Sequence, residues 1–157
     1  MSRHTATIRW RLRDGEFVGG RYSREHTWSF DGGVTVPASP SPAVVRPPFA
    51  NPAAVDPEEA FVASISSCHM LFFLSLASRD GFEVTAYDDE AVGEMTTNEH
   101  GQTWVSSVVL APLVRYRGER MPTDEEVRAL HDRAHHQCFI ANSIRTQVTV
   151  RMPGGRP

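Results

Sequence analysis

Only two cysteines occur in this chain, Cys68 and Cys138, and they are its most reactive side chains. A cysteine attacks or binds metal as the thiolate, so a reactive thiol needs a neighbouring cation or hydrogen-bond donors that lower its pKa. Two thiols that do not form a structural disulfide are inert packing residues, metal ligands or a redox-active pair. The cysteine count leaves these three alternatives open.

Five basic side chains are candidates for acting on the thiols. They are Arg21 and Arg24 in the N-terminal segment, and His69, His135 and His136 close to the cysteines in sequence. His135 and Cys138 are three residues apart, which would let them share a metal ion on one face of a helix. The chain has no CxxC or HExxH pattern, so its spacing gives metal binding little support.

A helix-start signal, DPEE, precedes Cys68. Asp56 can cap the helix, the proline after it suits the first helical position, and the two glutamates favour the positive end of the helix dipole. Gly81 can end the helix because glycine tolerates a positive φ. These signals predict a helix over residues 57–79, about 35 Å long.

No charged side chain occurs between residues 60 and 78 of this predicted helix. A helix that is apolar on nearly all sides belongs in the centre of a soluble fold or in a membrane. Five serines and His69 interrupt the apolar run, and the chain has no second stretch of this kind. We therefore expect the core of a soluble protein and no membrane partner.

Glu58 lies ten residues before Cys68 on the predicted helix. Ten helical residues span about 15 Å, so the carboxylate cannot touch the thiol directly. It could instead hold an arginine that reaches the thiol from another segment. The simpler interpretation is a first-turn carboxylate that interacts with the helix dipole.

A second helix is predicted over residues 124–138. Thr123 and Glu126 form a capping box at its start. Four residues then recur at spacings of three and four along one face: Val127, Leu130, Ala134 and Cys138. This is the pattern of a helix packed on a core, so Cys138 is expected to be buried.

Strands are predicted on both sides of the long helix. Their ranges are residues 4–13, 16–18 and 23–30 before it, a hairpin of 82–95 with 103–117 after it, and a last strand in 145–152. Residues 34–55 contain six of the eleven prolines and are expected to form a long loop, and residues 153–157 a frayed tail. This order indicates an α+β fold rather than alternating strands and helices.

The length and charge of the chain indicate how many domains it has and which binding partners its charge disfavours. A chain of 157 residues fits one domain, residues 1–157, and sixteen basic against nineteen acidic residues give a net charge of −3. That balance argues against binding to nucleic acid or to an anionic membrane. The first fifteen residues lack the apolar core of a signal peptide, so we expect a cytoplasmic protein.

Two segments of the chain resemble the OsmC/Ohr family of osmotically inducible and organic-hydroperoxide-resistance proteins. DPEEAFVASISSCHM resembles the family's NPEE(L/Q)…AAC segment, and AHHQCFIANSI resembles its second-cysteine segment, AH..CP.S.A. The seventy-residue separation of the cysteines, the hairpin between them and the chain length also agree. The resemblance therefore covers essentially the whole chain.

The resemblance implies antiparallel β-sheets wrapped around long central helices in an intertwined homodimer. It also implies a cysteine-dependent peroxidase that reduces organic hydroperoxides, uses no cofactor and is reset by an external dithiol of the lipoyl or thioredoxin type. Cys68 resembles the peroxidatic cysteine, Cys138 the resolving cysteine, and Glu58 the glutamate that positions the active-site arginine. Arg24 is the first candidate for that arginine and Arg21 the second.

Several residues depart from the family pattern. Asp56 replaces the usual asparagine, His69 stands where an aromatic or apolar residue is common, and Phe139 replaces a frequent proline. With the proline-rich loop, these differences indicate a less characterised OsmC-like subgroup. A non-catalytic dimer that binds small molecules, and a Cys/His metal-binding protein, stay open as alternatives to the peroxidase.

A pocket for an alkyl hydroperoxide would need apolar walls. The aromatic candidates are Phe61, Phe72, Phe139 and the loop residue Phe49. Aromatic side chains are more commonly plain core residues. The core interpretation is therefore kept as the alternative to a substrate pocket.

Overall fold

The computed structural model describes residues 1–152 and contains two compact units, residues 1–60 and the described chain from residue 61 onward. The tail expected to fray, residues 153–157, lies outside the described residues. The helices and sheets together form the mixed α+β arrangement expected from the sequence.

The first unit contains five strands: β1 (Ala6–Trp10), β2 (Gly15–Glu16), β3 (Arg21–Tyr22), β4 (His26–Phe30) and β5 (Thr35–Ala38). An antiparallel sheet has the order β1-β4-β5, and β2 pairs with β3 in a short hairpin. The indole N–H of Trp10 donates to the Ser23 carbonyl at 2.9 Å. The Trp10 ring also packs on those of Phe17 and Tyr22, which gives this small unit an aromatic cluster.

The predicted loop over residues 34–55 is corrected at its start, because β5 forms there. β5 is an edge strand, where a proline such as Pro37 is tolerated since one side of the backbone needs no partner. The rest of the segment folds back on this strand. Ser39 is fully buried, and its hydroxyl accepts the backbone N–H of Asn51 at 2.8 Å.

Helix α1 (Pro57–Arg79) has the bounds expected from the sequence. Asp56 accepts the backbone N–H of Glu59 at 2.7 Å, and the Glu59 carboxylate accepts that of Asp56 at 3.1 Å, which satisfies both donors. At the other end Gly81 has a φ of 82°, and the N–H of Phe82 donates to the Ala77 carbonyl at 2.9 Å. This is the Schellman arrangement that terminates helices.

Among residues 1–152, α1 is the one helix whose length and composition would suit a membrane span. Its buried stripe comprises Ile65, His69, Phe73, Leu76 and Ala77. That stripe packs on protein, as expected for a core helix.

After α1 come strands β6 (Glu83–Asp89), β7 (Val92–Thr97), β8 (Thr103–Leu110) and β9 (Pro112–Arg117), helix α2 (Asp124–Gln137), a short 3-10 helix (Ala141–Ser143) and strand β10 (Gln147–Val150). β6 pairs with β9, and a second sheet has the order β10-β8-β7. The expected hairpin is present as β7 and β8. β10 runs parallel to β8, so the sheets of this protein are not all antiparallel.

Each of the two long strands expected in the hairpin is divided in two. The Asp89 carboxylate accepts the backbone N–H of Ala111 at 2.7 Å and also the hydroxyl of Ser66. Since Ala111 then bonds to a side chain instead of a neighbouring strand, the strands break at this level. The break separates the β6–β9 pair from the β7–β8–β10 sheet.

Two apolar clusters in the second unit hold α1 in place. Phe73, Leu76, Ala77 and Phe82 pack with Leu130 and Ala134 of α2, and β6 and β9 border this cluster. Ile65 lies about two helical turns before Phe73 on α1 and packs with Val108 and Leu110 of β8. Both long helices are therefore fixed by packing near Cys68, which lies in α1, and Cys138, which directly follows α2.

Candidate active site

The two cysteines come together in the second unit. Cys68 lies near the middle of α1 and is half-buried, and Cys138 directly follows α2 with 1% of its surface exposed. The two thiols lie close enough for Cys68 to raise the pKa of Cys138. Two cysteines that lie close together on different segments are the arrangement from which a disulfide can form.

The turn after α2 holds Cys138 in place. The backbone N–H of Cys138 donates to the His135 carbonyl at 3.2 Å. The backbone N–H of Ala141, in the 3-10 helix, donates to the Cys138 Sγ at 3.4 Å. The Cys138 sulfur thus accepts a backbone N–H and has the other thiol as a neighbour.

The two thiols differ in their surroundings. Burial raises the pKa of the Cys138 thiol above its usual value, the N–H of Ala141 opposes that rise, and the neighbouring Cys68 adds to it. Cys138 is therefore protonated at neutral pH. Cys68 has more of its surface in contact with solvent, so it is the thiol that a dissolved oxidant meets first.

A histidine pair links α1 and α2, and one of its members, His69, directly follows Cys68 in the sequence. His69 Nε2 and His131 Nδ1 are 3.0 Å apart, and the two rings are nearly parallel with centroids 5.3 Å apart. The residues are 1% and 3% exposed. Burial lowers the pKa of both imidazoles to about 4, and each ring's charge would disfavour protonation of a neighbouring histidine.

His131 is the site-adjacent residue that sequence reasoning missed. It lies seven residues, about two helical turns, before Cys138 and so falls near the same face of α2. That spacing was a usable signal, but a histidine on an amphipathic helix is usually exposed. Only its contact with His69 distinguishes it.

Glu58 lies in the first turn of α1 and is half-buried, as expected for a carboxylate on the helix dipole. The reciprocal cap is made by the neighbouring Glu59. No side-chain hydrogen bond of Glu58 occurs within the described residues. Its role in positioning an arginine stays a prediction.

The two candidate arginines lie in the first unit in different surroundings. Arg24 donates to the carbonyls of Tyr22 at 3.0 Å and Gly20 at 3.3 Å, and its guanidinium lies over the Tyr22 ring, 4.2 Å from the centroid. Arg21 forms an ion pair with Glu16. Arg24 has no carboxylate partner in the described part of the chain, and its assignment to Cys68 stays a prediction.

The aromatic residues proposed for a pocket lie in separate places. Phe72 and Phe139 pack edge to face, 5.0 Å apart, in the second unit. Phe61 lines an open cavity of about 400 Å³ with residues that include Trp104 and Arg145. Phe49 lines a different cavity, of about 670 Å³, in the first unit.

The metal-binding alternative lacks a suitable cluster. Across residues 1–152, no three His, Cys, Asp or Glu side chains converge on a position that could hold a metal ion. His69 and His131 are hydrogen-bonded to each other, and Cys68 is a near neighbour of Cys138. The described residues therefore give the metal-binding alternative no support.

A thiol pair between two helices, with β-sheets packed against them, defines an α+β dithiol protein. The chain belongs to the OsmC-like protein family, whose sequence model matches residues 50–152. Comparison with curated proteins gives no match.

Solved structures agree with this assignment. The chain is similar to an OsmC-like protein of unknown function from Vibrio cholerae O1 biovar eltor, with 48% identity and a TM-score of 0.94 over 98% of this chain and 100% of that chain. Organic hydroperoxide resistance proteins share the fold. That of Elizabethkingia anophelis has 19% identity and a TM-score of 0.70 over 97% of this chain and 94% of that chain. That of Bacillus subtilis has 17% identity and a TM-score of 0.62 over 95% and 98%. The predicted α+β OsmC/Ohr fold is confirmed.

Proposed function

We propose that this protein is a thiol-dependent peroxidase that reduces organic hydroperoxides to alcohols. The observation that carries the proposal is that the Cys68 and Cys138 thiols lie close together: Cys68 raises the pKa of Cys138, and the nearby Phe72 and Phe139 rings pack 5.0 Å apart. Membership of the OsmC-like family, which includes proteins named for organic hydroperoxide resistance, adds support.

Cys68 is the attacking thiol in this proposal because it is the more exposed of the two. Its thiolate attacks one peroxide oxygen, the O–O bond breaks, and the other oxygen leaves with a proton as the alcohol. A guanidinium beside the sulfur would stabilise both the thiolate and the developing negative charge. We assign that role to Arg24, with Arg21 second, and assign Glu58 to positioning the guanidinium.

Cys138 completes the oxidative half of the cycle. The attack leaves Cys68 as a sulfenic acid, which the Cys138 sulfur attacks, and its proton leaves with the hydroxyl group as water. The disulfide protects Cys68 from further oxidation. An external dithiol of the lipoyl or thioredoxin type then restores both thiols by exchange and becomes a disulfide itself. We place the cycle in the cytoplasm, as an antioxidant response, in a homodimer.

The test is to add cumene hydroperoxide or tert-butyl hydroperoxide to the fully reduced protein and to measure free thiols and intact mass. Both thiols should disappear, with a mass loss of two hydrogens and a Cys68–Cys138 crosslink in the peptide map. Cys68→Ser should abolish the reaction. Cys138→Ser should still react once and leave a sulfenic acid that dimedone traps.

An unchanged number of free thiols would contradict the peroxidase proposal and favour the alternative of a non-catalytic protein that binds small molecules. Equal reactivity of the two serine variants would contradict the roles assigned to the cysteines.

A further inference from the structure

His69 and His131 form a second contact across the helices that carry the two thiols. His69 directly follows Cys68 on α1, and His131 lies on α2 ahead of Cys138. The imidazole hydrogen bond of 3.0 Å therefore joins the same two segments that bring the thiols close together.

The surroundings of the pair hold both rings fixed. The Phe73 ring stacks on His131 with centroids 4.3 Å apart, and both histidines are almost fully buried. Asp89 and His135 are the charged or titratable groups that act on His69. His69 Nδ1 is buried without a hydrogen-bond partner among residues 1–152, which is a cost that a simple packing residue would not carry.

A hydrogen bond between two imidazoles sets distance and direction. Both rings are neutral at pH 7 because burial lowers their pKa values to about 4. One nitrogen then donates and the other accepts, so each ring has one defined tautomer. An apolar contact of the same size would tolerate sliding of one helix along the other, whereas a hydrogen bond weakens steeply with misalignment.

We propose that the His69–His131 pair is a positioning pair for disulfide formation: it holds α1 against α2 so that the Cys68 and Cys138 sulfurs stay close together. This inference rests on the redox role proposed for the two cysteines, but not on the oxidant. Keeping the sulfurs together raises their effective concentration, which speeds disulfide closure and stabilises the disulfide relative to the dithiol.

The test uses diamide, an azo compound that takes two hydrogens from the two thiols and leaves a disulfide and a hydrazine. It separates this inference from the peroxidase proposal, because diamide closes the disulfide whether or not the protein reduces hydroperoxides. The closure rate is followed by acid quench and intact mass. The disulfide potential is measured by equilibration with a glutathione buffer.

Three variants separate the hydrogen bond from the packing. His131→Phe keeps a ring against Phe73 but removes the hydrogen bond, and closure should slow about tenfold while the potential rises by about 30 mV, the equivalent of a tenfold change in equilibrium constant. His131→Asn places an amide near the position of Nδ1 and should recover most of the rate. His136→Phe changes an exposed histidine of the same helix and should behave as wild type.

Closure of folded His131→Phe at the wild-type rate and potential would overturn the proposal, as would equal losses in the Phe and Asn variants. If His131→Phe does not fold, the proposal is tested on the wild-type protein instead. Nitrogen-resolved NMR at pH 7 should show two neutral imidazoles that share one proton, and a charged ring or tautomer exchange in either would refute the pair.

Discussion

His69 and His131 lie inside the second unit, where 1% and 3% of their surfaces are exposed. Burial is the main reason that the pKa of each falls to about 4, from the 6.5 of an unperturbed histidine. Between these two values the unfolded chain binds more protons than the folded protein. Stability is therefore fully present above about pH 6.5 and is lost as the pH falls toward 4.

We expect the free energy of unfolding to fall by on the order of 2–3 kcal/mol for one imidazole between pH 7 and pH 4.5. Urea unfolding of the wild type and of a His69→Gln/His131→Asn double variant measures this. The variant lacks both imidazoles, so its loss over the same range should be smaller by about twice that amount. Exposed carboxylates titrate equally in both proteins, so their contribution cancels in the comparison. If the free energy of unfolding had the same pH dependence in both proteins, the histidines would not be neutral and buried.

At the scale of residues, the sequence was sufficient to predict where in the fold the two cysteines lie, but not which side chains surround them. The apolar stripe that ends in Cys138 and the uncharged run around Cys68 predicted that both cysteines lie on core helices. The pairing of Cys68 with Cys138 involves residues seventy positions apart, and it came from resemblance rather than from any pattern. The pairing of His69 with His131 was invisible because it depends on how α1 and α2 are oriented.

At the scale of elements, α1 shows how local signals can set both ends of a long helix. Asp56 and Glu59 satisfy each other's backbone donors at the start, and Gly81 ends the helix with a φ of 82°. These signals are local in sequence, so they were predictable. Without a fixed end, the chain would enter β6 in a different direction and α1 would lose its register against β6 and β9.

Gly81→Ala is expected to reduce the free energy of unfolding by about 1–2 kcal/mol, because a side chain is strained at this positive φ. The added methyl group would lie 3.4 Å from an Arg120 nitrogen on a flexible side chain, so the cost comes from the backbone. Urea denaturation monitored by circular dichroism measures the change. Gly32→Ala is the matched control, since Gly32 lacks a positive φ and a methyl group there meets nothing within 4 Å. An equal effect at both glycines would contradict this explanation.

The division of the two long strands could not be predicted from periodicity. Residues 82–95 and 103–117 both have continuous β-rich composition, and each was expected to be one strand. The Asp89 carboxylate decides the outcome, because it binds Ser66 of α1 and the backbone of Ala111 at once. A long-range side-chain contact of this kind leaves no local mark in the sequence.

At the scale of the whole molecule, α1 has more apolar surface than this single chain covers. Only 28% of its most apolar window is buried. The exposed face follows a helical repeat of small residues and one leucine: Ala63, Ser67, Leu71, Ser75 and Ser78. Small side chains let another helix approach closely, whereas serine hydroxyls facing lipid would need partners. The face therefore suits a second protein helix better than a bilayer.

A homodimer, which the sequence resemblance predicts, would place a second copy of α1 on this face. We expect light scattering coupled to size exclusion to give twice the chain mass of 17.5 kDa. Leu71 is 61% exposed in the single chain, and Leu71→Asp should weaken the dimer by about 100-fold, because a carboxylate would be buried without a partner. Ala129→Asp introduces the same charge at an exposed position of α2 and should leave the mass unchanged. A monomeric wild type at micromolar concentration, or a dimer insensitive to Leu71→Asp, would exclude the α1 face as the interface.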